Sequence, residues 1–389
     1  MAGKHAPKSK KKPKAGKKKQ ESGDSSANTT QKYTVDQLLD KVAEYLDEFK
    51  YELAQKFCQR AVELEPDNLR ALELSGQLLL EVGNNESAKH CFGRAVELSP
   101  DNGHSKYMYL GQLCEGVDAV TFFQKGIALM EESLLEQQNK EVNAACALPS
   151  DGVSVKDISS AYCSVAELYM TDLCDEADAE VQCRTALERA IERDATYAEA
   201  FHLMASFQLI KQNKNEAKKM IDQGVKLWLP KLQSIDKSET LASEDEKEID
   251  PLQVVDISYG SRVEAAKILI EVEDYKTANE VLEYLLDEDD TSVQVWYLLG
   301  LQNYLEGADY KANARYYLTK ATTLYTKKKK EGTDTEEDLE ILGHVEKLLT
   351  ELGPGETEGE DEEEDAGNRG TVEDDIDFET DSDEEPMDH

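Results

Sequence analysis

The chain has 389 residues, 39% hydrophobic and 32% charged, with a formal net charge of −38. That length suits two ordinary domains or one extended array, and so acidic a balance argues against a nucleic-acid backbone as main partner and favours a basic one. Seven cysteines without a C-x-x-C pair read as reduced thiols of a cytosolic or nuclear protein, and no run approaches the ~18–20 apolar residues of a membrane span.

Residues 1–32 hold ten Lys against two acids and read as a disordered tail. No apolar core follows, so a secretory signal is not expected. Lys10, Lys11, Lys12 and Lys14, with Lys17, Lys18 and Lys19, resemble a nuclear import signal, which would make an import receptor a partner. The other reading is a flexible solubilising or weak nucleic-acid-binding arm.

From Val35 to Asn102 the sequence repeats itself. Ala54, Ala61 and Pro66 return 34 residues later as Ala88, Ala95 and Pro100, and Cys58 returns as Phe92. This period, with small residues, a large apolar residue and a closing Pro, reads as tetratricopeptide repeat (TPR). Small residues let paired helices approach, the large one fills the hole beside them, and Pro ends the second helix. One pair cannot bury its apolar face alone, so copies must stack.

The third repeat opens with Tyr107, Leu110 and Gly111, but Ala119, Phe123 and Gly126 arrive four residues early, which predicts a short inter-helix turn. The pattern lapses over 131–156. The fourth repeat resumes with Tyr162, Val165 and Ala166, and a turn about five residues longer leads to Cys183, Leu187 and Ala190. The fifth has Phe201, Met204, Ala205, Ala217, Ile221 and Gly224, followed by a Ser- and acid-rich insertion at 231–252. Ala265, Ala266, Leu269, Ala278 and Leu282 mark the sixth; Trp296, Leu299, Gly300, Ala312 and Tyr316 mark the seventh. Residues 335–350 form an amphipathic helix expected to cap the stack. The expected fold is thus all-α: a TPR-type right-handed superhelical solenoid of about seven helix pairs plus a capping helix over 33–350, between disordered termini at 1–32 and 351–389. The last segment holds nineteen acids and one Arg. Within it Ser382, followed by Asp383-Glu384-Glu385, suits an acid-directed kinase.

No phosphate loop and no H-E-x-x-H motif is present, and the scattered His and Cys lack zinc spacing. The expectation is a non-enzyme without cofactor or metal. In a TPR stack the first helices of the pairs line the concave side. Helical geometry places there Asp36, Asp47, Glu73, Gln77, Glu81, Met108, Glu115, Glu167, Met170, Asp172, Glu199, His202, Glu271, Tyr297 and Tyr304. Such an acidic concavity attracts a basic ligand; the plainer reading is a solvated acidic surface. A clamp for acidic chaperone C-termini is excluded, because Leu39, Ala43, Glu73 and Gln77 stand where Lys and Asn would be needed.

The segment Tyr162-Cys163-Ser164-Val165-Ala166-Glu167-Leu168-Tyr169-Met170, continuing Thr171-Asp172-Leu173-Cys174-Asp175-Glu176-Ala177-Asp178-Ala179-Glu180, resembles the assembly chaperones of large-subunit ribosomal protein L-four. The paired opening repeats, the Trp296 helix and the acidic tail are similar as well. The resemblance implies capture of a newly made basic ribosomal protein, protection from aggregation, and escort from cytoplasm to nuclear pre-ribosomes. It implies that Glu73, Glu81, Glu115, Glu167, Asp172 and Glu199 face the client. A monomer with neither direct nucleic-acid contact nor membrane is expected. The alternatives are a TPR scaffold joining proteins in a complex, and a histone-type chaperone of basic proteins driven by the acidic tail.

Overall fold

The computed structural model describes residues 33–143, 152–239 and 255–353. The import-signal lysines Lys10 to Lys19, most of the acidic tail, and Ser382 lie outside the described residues. Among the described residues the secondary structure is α-helical, with one short 3-10 turn and no strand. The chain divides into two compact units, the first ending at Leu113 and the second beginning at Cys114.

The first unit contains α1 (Val35–Asp47), α2 (Tyr51–Leu64), α3 (Leu69–Glu81), α4 (Asn85–Leu98) and α5 (Ser105–Leu113). Local chemistry sets their starts. Thr34 and Gln37 form a reciprocal capping box on α1, and Asn68 and Asn84 accept from the Ala71 and Ser87 amides to cap α3 and α4. The repeat logic then fixes the packing. Ala54, Cys58 and Ala61 are buried in the first copy; Ala88, Phe92 and Ala95 are buried in the second. The Phe92 ring lies so close over Gly76 that a Cβ there would come within 2.5 Å, so close packing excludes every larger residue at that position.

The second unit contains α6 (Gly116–Asn143), α7 (Val155–Met170), α8 (Ala179–Arg193), α9 (Ala198–Ile210) and α10 (Lys214–Glu239). It continues with α11 (Tyr259–Glu271), α12 (Tyr275–Glu288), α13 (Val293–Glu306), α14 (Lys311–Glu331) and α15 (Glu336–Leu352). The insertion expected from 231 begins as helix: α10 continues through Pro230 to Glu239 and buries Leu232. One unexpected core feature is Arg262 of α11, 1% exposed and paired with Glu288 of α12 at 2.7 Å.

The seventh pair departs from the expected register. Gly307, at φ +126°, and the 3-10 turn Ala308–Tyr310 delay α14 by two residues relative to the standard spacing. Ala312 and Tyr316, expected in the core, are exposed. Ala314 and Leu318 are buried instead, and Leu318 covers Gly300 as Phe92 covers Gly76. The closing helix α15 packs Val345 and Leu348 against Leu318, Ala321 and Tyr325, which covers the apolar face the last pair would otherwise expose.

Candidate functional site

The first helices of successive pairs lie side by side: α1 against α3 in the first unit, and α7, α9, α11 and α13 in series in the second, with α15 closing on α13. Each series presents one face on which side chains from neighbouring repeats converge.

In the first unit, Glu73 of α3 is half-buried. Burial raises its carboxyl above the ordinary value, and Lys106 of α5 opposes that rise. Lys106 is itself 1% exposed, wrapped by the connection before α5, with its ammonium bonded to the Asn102 carbonyl. Burial lowers its pKa while Glu73 raises it. Glu73 therefore faces a cation of its own unit, which the sequence reading did not foresee. Glu81, at the end of α3, is exposed and accepts from the Tyr51 hydroxyl at 3.0 Å. Gln77 donates to the Tyr109 hydroxyl at 3.1 Å, and the Tyr109 ring stacks on Phe92.

The second unit gathers the other four carboxylates into two places. Glu167 of α7 is exposed to water, yet burial is the largest cause of its raised pKa, followed by the charge of Glu199. A side chain that water reaches but protein surrounds lies in a recess, and a like charge beside it there is poorly screened. Glu199, at the start of α9, accepts from the Tyr197 hydroxyl and from Ser261 Oγ of α11 at 2.5 Å. Its carboxylate thus ties α11 to the start of α9, and its charge acts on Glu167 of neighbouring α7. Cys163, one turn before Glu167, is buried beneath it; burial and the two carboxylates push its thiol pKa up. Among the described residues neither Glu167 nor Glu199 is in an ion pair, and two acids so placed above the buried Cys163 thiol suit a cationic side chain.

Glu115 and Asp172 do not lie on helix faces. Glu115 occupies the short link before α6, and Asp172 the turn after α7. Asp172 Oδ2 accepts from the Gly116 amide at 3.3 Å, which caps the start of α6 and brings Asp172 beside Glu115. Helical periodicity could not place residues that have left the helix.

Three further positions expected on the concave side are otherwise engaged. His202 is buried; its ring packs against Gly224, and its Nε2 accepts from the Trp228 indole at 3.4 Å. Burial lowers its pKa to about 4. Tyr297 and Tyr304 are claimed by the closing helix, through His344 Nδ1 at 2.6 Å and Glu351 at 2.5 Å. Leu39 is fully buried and so takes no part in a carboxylate clamp.

Among the described residues no group of three or more His, Cys, Asp or Glu could hold a metal ion. Among them, too, no helix is long and apolar enough to cross a membrane.

Comparison with known proteins bears on what this surface serves. The tetratricopeptide-repeat family matches residues 41–68 and 69–102. The chain is 32% identical over 339 residues to a Schizosaccharomyces pombe protein described as a probable assembly chaperone of rpl4, covering 82% of this chain and 88% of that one. An Emericella nidulans protein of the same description is 25% identical over 259 residues, covering 64% of this chain and 58% of that one. The solved structure of the assembly chaperone of RpL4, Acl4 residues 1–338, superposes with a TM-score of 0.57 at 27% identity, covering 71% of this chain and 97% of that one.

Proposed function

The chain belongs to the family of assembly chaperones of RpL4, and from that premise we propose that it binds a newly made RpL4 through the acidic faces of its first helices. The bound client is kept from aggregating and from contacting RNA prematurely, and is escorted from cytoplasm to nuclear pre-ribosomes for large-subunit assembly. The protein acts as a monomer, by binding rather than catalysis. Ribosomal RNA displaces it by competing for the client's Lys and Arg.

The observation that carries this reading is the Glu167–Glu199 cluster: two mutually repelling carboxylates from neighbouring repeats, one of them open to water in a recess. A client cation relieves that repulsion and gains a partly desolvated partner. Single exposed pairs are worth only ~0.2–1 kcal/mol, so affinity accumulates over several such pairs. Glu73 contributes less than its position suggests, because Lys106 already offsets it.

The test is Glu167→Lys, measured by titration with purified RpL4 at physiological salt. The reading expects a clear loss of affinity with unchanged helicity by circular dichroism. Unchanged affinity would remove the groove from the account while leaving family membership intact.

A further inference from the structure

Helix α14 is anomalous in this chain. A protein of net charge −38 devotes to it seven cations, four of them in the run 327–330, against one acid, Glu331. Ala314, Leu318, Ala321 and Tyr325 turn one side of the helix to the core. The opposite side is a solvent-facing stripe of Tyr316, Lys320, Thr323, Lys327 and Lys330, with the Lys320 ammonium 5.5 Å from the centre of the Tyr316 ring. Among the described residues no ion pair engages Lys320, Lys327 or Lys330. Apart from Glu331, acids follow only beyond the helix, at Asp334, Glu336 and Glu337. Positive charges crowded on one exposed helix face repel one another, and they are stabilised by a polyanion.

The same helix holds the point from which the acidic tail departs. Arg315, in the first turns of α14, donates to the Leu352 carbonyl at 3.0 Å and to the Gly353 carbonyl at 3.2 Å. Eight of the ten residues from Glu356 to Asp365 are acidic. We propose that this segment, 356–365, docks along the exposed face of α14 and closes it to other polyanions.

Reach and charge both fit. Lys327 lies twelve residues along the helix from Arg315, about 18 Å at 1.5 Å per residue. At random-coil dimensions seven to twelve residues span about 15–19 Å, which matches the number of residues from Gly353 to the densest acids at 360–365. Tethering at this distance supplies an effective concentration in the millimolar range, an advantage RNA lacks. The closed form withholds α14 from RNA and withdraws the tail from basic clients, leaving them to the first-helix faces.

Zero-length carbodiimide coupling of the full chain at micromolar concentration, read by mass spectrometry, tests the contact. The proposal expects intramolecular links from 356–365 to Lys327–Lys330. They fall at least about fivefold near 1 M salt, where screening reaches about 3 Å. The full-length variant carrying E360Q, D361N, E362Q, E363Q, E364Q and D365N should bind a single-stranded RNA 20-mer about tenfold more tightly than the parent, as expected for uncovering several cations. Adding K320E, K327E and K330E should abolish that gain. Links directed instead to Lys10–Lys19, links spread over the exposed lysines of the whole chain, or an RNA gain that survives the α14 reversals would each overturn the proposal.

Discussion

Replacing Leu318 and Tyr316 in turn separates the two registers available to α14. Leu318 is fully buried, and its Cγ and Cδ2 occupy the space where a Cβ on Gly300 would come within 2.6 Å. Leu318→Ala leaves a hole that Gly300 has no side chain to fill. The expected cost is in the middle to upper part of the range for buried Leu→Ala, about 3–4 kcal/mol. Tyr316 is 54% exposed, so Tyr316→Ala should stay within about 0.5 kcal/mol. Gly300→Ala drives a methyl into Leu318, with the Leu318 backbone nitrogen also only 3.2 Å away, and should cost about 1–3 kcal/mol. In the Leu318→Ala background the same methyl enters vacated space, so its effect should become neutral or stabilising, a coupling of at least about 1 kcal/mol. Urea unfolding followed by tryptophan fluorescence suits the cycle, because Trp228 and Trp296, the two tryptophans, both lie in the second unit. A larger loss for Tyr316→Ala than for Leu318→Ala would refute the two-residue shift. So would an equal penalty for Gly300→Ala in both backgrounds.

The Arg262–Glu288 pair should respond asymmetrically. Glu288→Ala strands a cation that is 1% exposed and should cost about 3–5 kcal/mol, whereas Arg262→Met buries no charge and should cost far less; equal losses in thermal unfolding would contradict this. His202 has a folded pKa of about 4 against an ordinary 6.5. Between those values the unfolded chain binds more protons, so stability is full above 6.5 and is lost as pH falls toward 4, by up to ~3 kcal/mol. His202→Gln, which keeps an acceptor for Trp228, should flatten that slope in urea titrations. Glu167 works in the opposite sense. Its folded pKa lies above the ordinary 4.5, so its contribution to stability is present below 4.5 and is lost as pH rises through the raised value. A cationic client lowers that pKa again. Complex formation at a pH between the ordinary 4.5 and the raised value should therefore release protons, seen as a dependence of calorimetric heat on the buffer's ionisation enthalpy that Glu167→Gln removes.

The repeat core was legible because its signal is strictly periodic. The identity of Ala54, Ala61 and Pro66 with Ala88, Ala95 and Pro100 reports a packing constraint that any copy must satisfy. The register of α14 was not legible, since a 3-10 turn carries no hydrophobic signature and Gly307 alone does not reveal a two-residue delay. On the groove side, spacing located Glu73, Glu167 and Glu199 on first helices, but it could not say what each would meet. Lys106 opposes Glu73, α15 takes the hydroxyls of Tyr297 and Tyr304, and the ring of His202 turns toward Gly224 and Trp228. All of these are tertiary contacts, invisible to a single helix's periodicity. Glu115 and Asp172 left the helices altogether, in the two connections whose irregular lengths the sequence did announce.

The central claim is that one face, and not net charge, holds the basic client. It is tested by neutralising two carboxylates on either side of the same repeats and comparing affinities for RpL4 at physiological salt. Glu167→Gln with Glu199→Gln keeps the Ser261 hydrogen bond within reach and should weaken binding by about 1–2 kcal/mol, roughly five- to thirtyfold in Kd. Glu188→Gln with Glu192→Gln, at exposed positions of α8, changes net charge equally and should move Kd by less than about twofold. Equal losses from the two pairs would contradict the account.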